Sequence, residues 1–91
     1  MTTEFIQNYL DKKIIEDENY IVCTFYDLRI RNNLTEIQAD RFLELSKIWL
    51  ENNNYSVYFT GARYKYKGEN KIVQDSEYMV AIKESEVNRN V

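Results

Sequence analysis

The sequence predicts an α+β fold: a small three-stranded sheet packed by one main amphipathic helix, with a second helix at the N-terminus, in the order α-β-α-β-β. Three observations carry this. Thr35–Glu51 repeats its apolar residues at helical spacing. Tyr20–Arg31 and the stretch opening at Tyr55 are dense in aromatic and β-branched residues, as strands are. A return segment near the C-terminus alternates apolar and polar residues, so it should pair with the strand before it. Ninety-one residues, 44% of them hydrophobic, suffice for one domain (1–91) and one small core. A core of that size leaves little room for a deep substrate cavity.

The N-terminal helix opens on Thr2-Thr3-Glu4, a cap followed by an acid in the first turn. Phe5 and Tyr9, then Ile6, Leu10 and Ile14, fall four apart and give about three turns. Lys12 and Lys13 stand near its C-terminal end, where the helix dipole favours cations. Glu16-Asp17-Glu18-Asn19 breaks the pattern into a loop.

Tyr20–Arg31, YIVCTFYDLRIR, reads as one long strand. Its even positions, Val22, Thr24, Tyr26, Leu28 and Ile30, make a continuous face expected to be buried. Its odd positions turn from apolar (Ile21, Cys23, Phe25) to polar (Asp27, Arg29, Arg31) halfway along. The first half should therefore be covered on both faces, with the N-terminal helix or a second subunit over Ile21 and Phe25.

Thr35 and Gln38 have the spacing of a capping box, with Leu34 and Ala39 placed as a hydrophobic staple. Ala39, Phe42, Leu43, Leu45, Trp49 and Leu50 form the apolar arc of this helix, opposite Glu36, Asp40, Glu44, Lys47 and Glu51. Ile37 and Ile48 lie off the arc. Asn52-Asn53-Asn54 should end the helix, because Asn tolerates the left-handed conformation.

The hairpin follows. Tyr55, Val57 and Phe59 alternate inward, and Gly61 suits a bulge. A bulge would turn Ala62, Tyr64 and Tyr66 inward and leave Arg63, Lys65 and Lys67 in water. The return strand carries Ile72-Val73, a polar break over Gln74–Glu77, then Tyr78, Val80 and Ile82 pointing inward. Residues 85–91 are expected to be a frayed polar tail.

Charge is distributed unevenly. The net charge is −3, yet residues 52–74 carry +3 and residues 20–34 carry +1, while 1–19, 35–51 and 75–91 carry −3, −2 and −2. A basic arm on an acidic body steers encounters with partners. No histidine is present to act as a catalytic base or metal ligand, and Cys23 is alone. Cys23 reads as a buried structural thiol. Glu69-Asn70-Lys71 has a Glu-x-Lys spacing met in metal-dependent nucleases, and Asp75 and Glu77 share a strand face. That chemistry needs a further acid on a neighbouring strand and a cleft for the ion, so a solvated turn is the expectation. Two isolated glycines make no phosphate loop. Neither a catalytic centre, a metal site nor a cofactor is expected.

A binding surface on the hairpin is expected instead: Tyr58, Arg63, Tyr64, Lys65, Tyr66 and Lys67, extended by Arg29 and Arg31 if the first strand lies alongside. The leading partner is another protein. Nucleic acid, with lysines on phosphates and tyrosines on bases, is the second reading, and a structural homo-oligomer with a homodimer contact is the third. No leader segment or membrane span is legible, and a single cysteine suits a reducing compartment, so a cytoplasmic protein is expected. Richness in Asn, Ile, Lys and Tyr matches AT-rich codons. With the small size and split charge, this suggests an accessory protein of a phage or mobile element that inhibits a host nuclease or defence factor.

Overall fold

The structure, a computed structural model, describes residues 2–61, 63–66, 72–75 and 78–84. Helix α1 spans Thr3–Glu16 and is capped as its sequence demands, the Phe5 amide donating to Thr2 Oγ1 at 3.1 Å. Helix α2 spans Glu36–Asn52 behind a complete capping box. Gln38 N donates to Thr35 Oγ1 at 3.1 Å, and Thr35 N donates to Gln38 Oε1 at 2.9 Å. The asparagine run ends α2 as expected, with Asn54 at φ 67°.

The two helices meet through aromatic edges. Phe42 of α2 is fully buried and stands 5.0 Å from the Tyr9 ring and 5.9 Å from the Phe5 ring, edge-on to both. Ile6 and Leu10 of α1 and Ala39, Leu43 and Leu50 of α2 complete the helical side of the core. Leu45 and Trp49 are half-buried against it. Ile37 and Ile48, off the arc, are exposed.

Three strands form the main sheet: β1 (Tyr20–Thr24), β2 (Tyr55–Thr60) and β5 (Tyr78–Lys83), in the order β1-β5-β2. Strand β5 runs antiparallel to both neighbours. The chain therefore crosses from β1 through α2 to a strand parallel to β1, and β5 fills the gap between them. This is a split β-α-β arrangement. A two-stranded ribbon, β3 (Arg63–Tyr66) with β4 (Ile72–Asp75), lies between β2 and β5 in sequence.

Four expectations need correction. The first strand does not run to Arg31: it stops at Thr24, and Asp27–Arg31 winds into a π-helical turn. The cause is Asp27, which is held from several sides. Its amide donates to Thr24 Oγ1 at 2.9 Å, while its carboxylate accepts from the Tyr9 hydroxyl and lies 3.5 Å from Arg31 Nη1. The Asn32 amide closes the π-turn onto the Asp27 carbonyl at 3.0 Å. Second, the buried residues of β1 are Ile21 and Cys23, not the even positions, because α1 and α2 pack on the odd side. Leu28 is buried, but from the π-turn, and Tyr26 and Ile30 are exposed.

Third, β5 turns Met79 and Ala81 into the core rather than Tyr78, Val80 and Ile82. Fourth, no single-residue bulge offsets the hairpin. Thr60 pairs with Tyr78 and Arg63 with Asp75, so two residues separate these pairs on each arm and the register carries through. Gly61 does take φ 78°, which only glycine adopts cheaply. On β2, Tyr55 is buried and Val57 half-buried as expected, whereas Phe59 is 42% exposed, beyond the reach of the helices.

Candidate interaction surface

Side chains alternate across a strand, so each strand of the sheet offers one residue set to the helices and the other to the opposite face. The register aligns that opposite set in three rows: Tyr20–Ile82–Ser56, Val22–Val80–Tyr58 and Thr24–Tyr78–Thr60. None of these nine residues is charged. Among the described residues both helices pack on the other side, and this face has no covering element. Tyr20 and Tyr58 are each 51% exposed and Tyr78 36%, around half-buried Val22, Val80 and Ile82. Solvent-facing sheet surfaces ordinarily alternate to polar and charged residues, whereas these nine positions carry no charge.

Of the residues singled out from sequence, Tyr58 sits in the middle row of this face. Arg63, Tyr64, Lys65 and Tyr66 form β3, and their backbone pairs with β4 as an extension of the same hairpin. Their side-chain directions, with Ala62, Lys67 and the Glu69–Lys71 triplet, lie outside the described residues, as does the 85–91 tail. Thr24 and Thr60 both pair with Tyr78, so β1 and β2 end at the same end of the sheet. The π-turn and the ribbon both depart from there.

Arg29 and Arg31 are therefore on the π-turn rather than on a strand beside the hairpin. Arg29 Nη1 donates to the Leu34 carbonyl at 3.0 Å, and Arg31 pairs with Asp27. Arg31 instead joins Lys12 and Lys13 around an open cleft of about 600 Å³ between α1 and the π-turn, with Phe5 and Tyr9 on its wall. Burial, the nearby Cys23 and the bond to Asp27 all hold the Tyr9 phenol above its ordinary range. Burial pushes the Cys23 thiol up to about 12. A thiol so resistant to ionisation is a packing group, not a nucleophile.

Val22, Tyr78, Val80 and Ile82 were not legible as surface residues, since in sequence they pass for the buried set. The signal that finds them is the absence of charge on every alternate position of three neighbouring strands.

Fold and surface together define an open-faced, two-layer α+β protein with a projecting ribbon. Comparison with protein-family models, curated proteins and solved structures finds no match to this chain. Among the described residues no helix is long and apolar enough to cross a membrane.

Proposed function

We propose that this protein acts by stoichiometric binding to another protein and not by catalysis, using the open sheet face and the ribbon that continues from it. One observation carries the reading: nine aligned positions of an uncovered sheet face hold three tyrosines and three aliphatics and no charge. Interface centres are enriched in tyrosine and depleted of charge. A nucleic-acid platform needs cations beside its aromatics to neutralise phosphates, and this face has none.

Size assigns the ribbon a share. Three strands about 4.8 Å apart and five pairs about 3.4 Å apart give a projected face of about 240 Å². A stable interface takes about 800 Å² from each partner. The remainder falls to Arg63, Tyr64, Lys65, Tyr66 and Lys67, which follow directly from β2. In its concrete form the proposal is a phage or mobile-element inhibitor of a host nuclease or defence factor, supported by the small size, the split charge and the AT-rich residue usage.

The test is affinity capture from a low-GC bacterial lysate, with and without added nuclease, comparing wild type with V22K/V80K. These substitutions charge the open face and leave the core untouched. Wild type should retain one stoichiometric protein after nuclease treatment, and V22K/V80K should lose it while remaining folded by circular dichroism, with a lower melting temperature because the two lysines stand opposite each other in the register. Recovery of nucleic acid, or of proteins that vanish with nuclease, would instead favour the basic arm as a phosphate-binding element.

A further inference from the structure

Residues 1–19 hold five carboxylates and two lysines. Both lysines line the open cleft of about 600 Å³ between α1 and the π-turn, and of the five acids only Glu16 does. Phe5, Tyr9, Lys12 and Glu16 recur at helical spacing, so one stripe of α1 faces the cleft. The Phe5 and Tyr9 rings stand 6.3 Å apart with their planes inclined by 33°, and together they make an aromatic wall. Lys13 Nζ lies 5.6 Å from the centre of the Tyr9 ring, which sets a cation beside that wall. Arg31 brings another cation from the π-turn. One of its nitrogens lies 3.5 Å from Asp27 Oδ1, and its side chain is 74% exposed, so the rest of its donor fork is open to a ligand. Asp27, the second acid of the cleft, is already engaged by the Tyr9 hydroxyl, the Asn32 amide and Arg31. Among the described residues neither lysine makes an ion pair. The cleft thus holds three cations against two carboxylates in a chain of net charge −3.

We propose that this cleft binds a small aromatic anion, its planar ring against Phe5 and Tyr9 and its carboxylate or phosphate between Lys12, Lys13 and Arg31. Small-molecule sites of about 300–1,000 Å³ pair apolar walls with a few placed polar groups, and this cleft has both the volume and the lining. Lysines near a helix C-terminus are ordinarily accounted for by the helix dipole, and Lys12 and Lys13 alone mean no more than that. Arg31 comes from a different element, and the Tyr9–Asp27 bond fixes that element against the aromatic wall. Convergence from two elements is what makes the cleft a site. It shares no residue with the open sheet face, so it stands or falls independently of the protein-binding reading.

The experiment titrates the isotope-labelled full chain with phenyl phosphate and with benzoate, using benzyl alcohol, benzylamine and inorganic phosphate as controls. At least one aromatic anion should bind in the millimolar range, with amide shifts gathered on residues 5–13 and 27–32. It should bind about tenfold tighter than each control, and comparison of the two anions tells phosphate from carboxylate. K12E should weaken binding about tenfold. K47E makes the same charge change at a residue that does not line the cleft, and should leave the affinity within about twofold. Benzylamine binding as well as the anions would mean that Glu16 and Asp27 govern the cleft, and inorganic phosphate binding as well as phenyl phosphate would remove the aromatic wall. Either result overturns the proposal, as do shifts outside the cleft, equal losses in K12E and K47E, or no binding of either anion. Circular dichroism checks that both variants fold, and the wild-type titrations decide the matter if K12E does not.

Discussion

Replacing Tyr9 with phenylalanine tests why the first strand ends where it does. The ring stays and keeps its edge contact with Phe42, so what is lost is the hydroxyl, with its bond to Asp27 and its contact with the Cys23 thiol. A hydrogen bond to a carboxylate is worth roughly 1.5–3 kcal/mol. Two features reduce that here. The Asp27 side chain is still 17% exposed, and it keeps Arg31 Nη1 at 3.5 Å and Asn32 Nδ2 at 3.4 Å. The expected loss is therefore about 1–2 kcal/mol, a fall in melting temperature of about 4–16 °C for a domain of this size. Urea titration of Y9F, D27N and the double variant measures the coupling directly. A coupling energy near 1 kcal/mol is expected, with faster amide exchange across residues 27–32 in each single variant. If Y9F lies within about 0.5 kcal/mol of wild type, or the two changes simply add, the Tyr9–Asp27 contact does not hold the π-turn in place.

Two further predictions concern the core. Stability should decline in alkali. The Cys23 thiol ionises near 9 when unfolded and at about 12 when folded, so the unfolded chain releases its proton first. Stability on this account is intact below pH 9 and is lost as pH climbs from 9 towards 12, by about 1.4 kcal/mol per unit. Tyr9, also raised by burial, adds a like loss above its ordinary 10. Urea midpoints of wild type should fall between about pH 9 and 10.5, and those of C23A should be flatter from 9 to 10 whatever its baseline; parallel curves would contradict the assignment. Second, Ser46 Oγ is fully buried in α2 with no hydrogen-bond partner among the described residues. S46A removes a desolvated hydroxyl and adds helix propensity, and should raise stability by up to about 1 kcal/mol. A lower melting temperature would mean that the hydroxyl has a partner after all.

Sequence alone determined the two helices and their ends, because the signals are local. Thr2, Thr35, Gln38 and Asn54 act on backbone groups within four residues, and the apolar arc of α2 follows from the 3.6-residue period. The α+β class and the presence of the hairpin were legible for the same reason. What only the tertiary structure decided is which face of the sheet the helices cover. Ile21 and Cys23 on one side of β1 and Val22 on the other are equally apolar, and alternation separates two faces without naming the inner one. That choice turned the expected core set Val22, Val80 and Ile82 into the exposed surface proposed for binding. The π-turn was equally hidden, since it depends on an Asp27 bond to Tyr9, eighteen residues away. A period-2 reading of Tyr20–Arg31 had no access to that contact, and Arg29 and Arg31 moved with the turn.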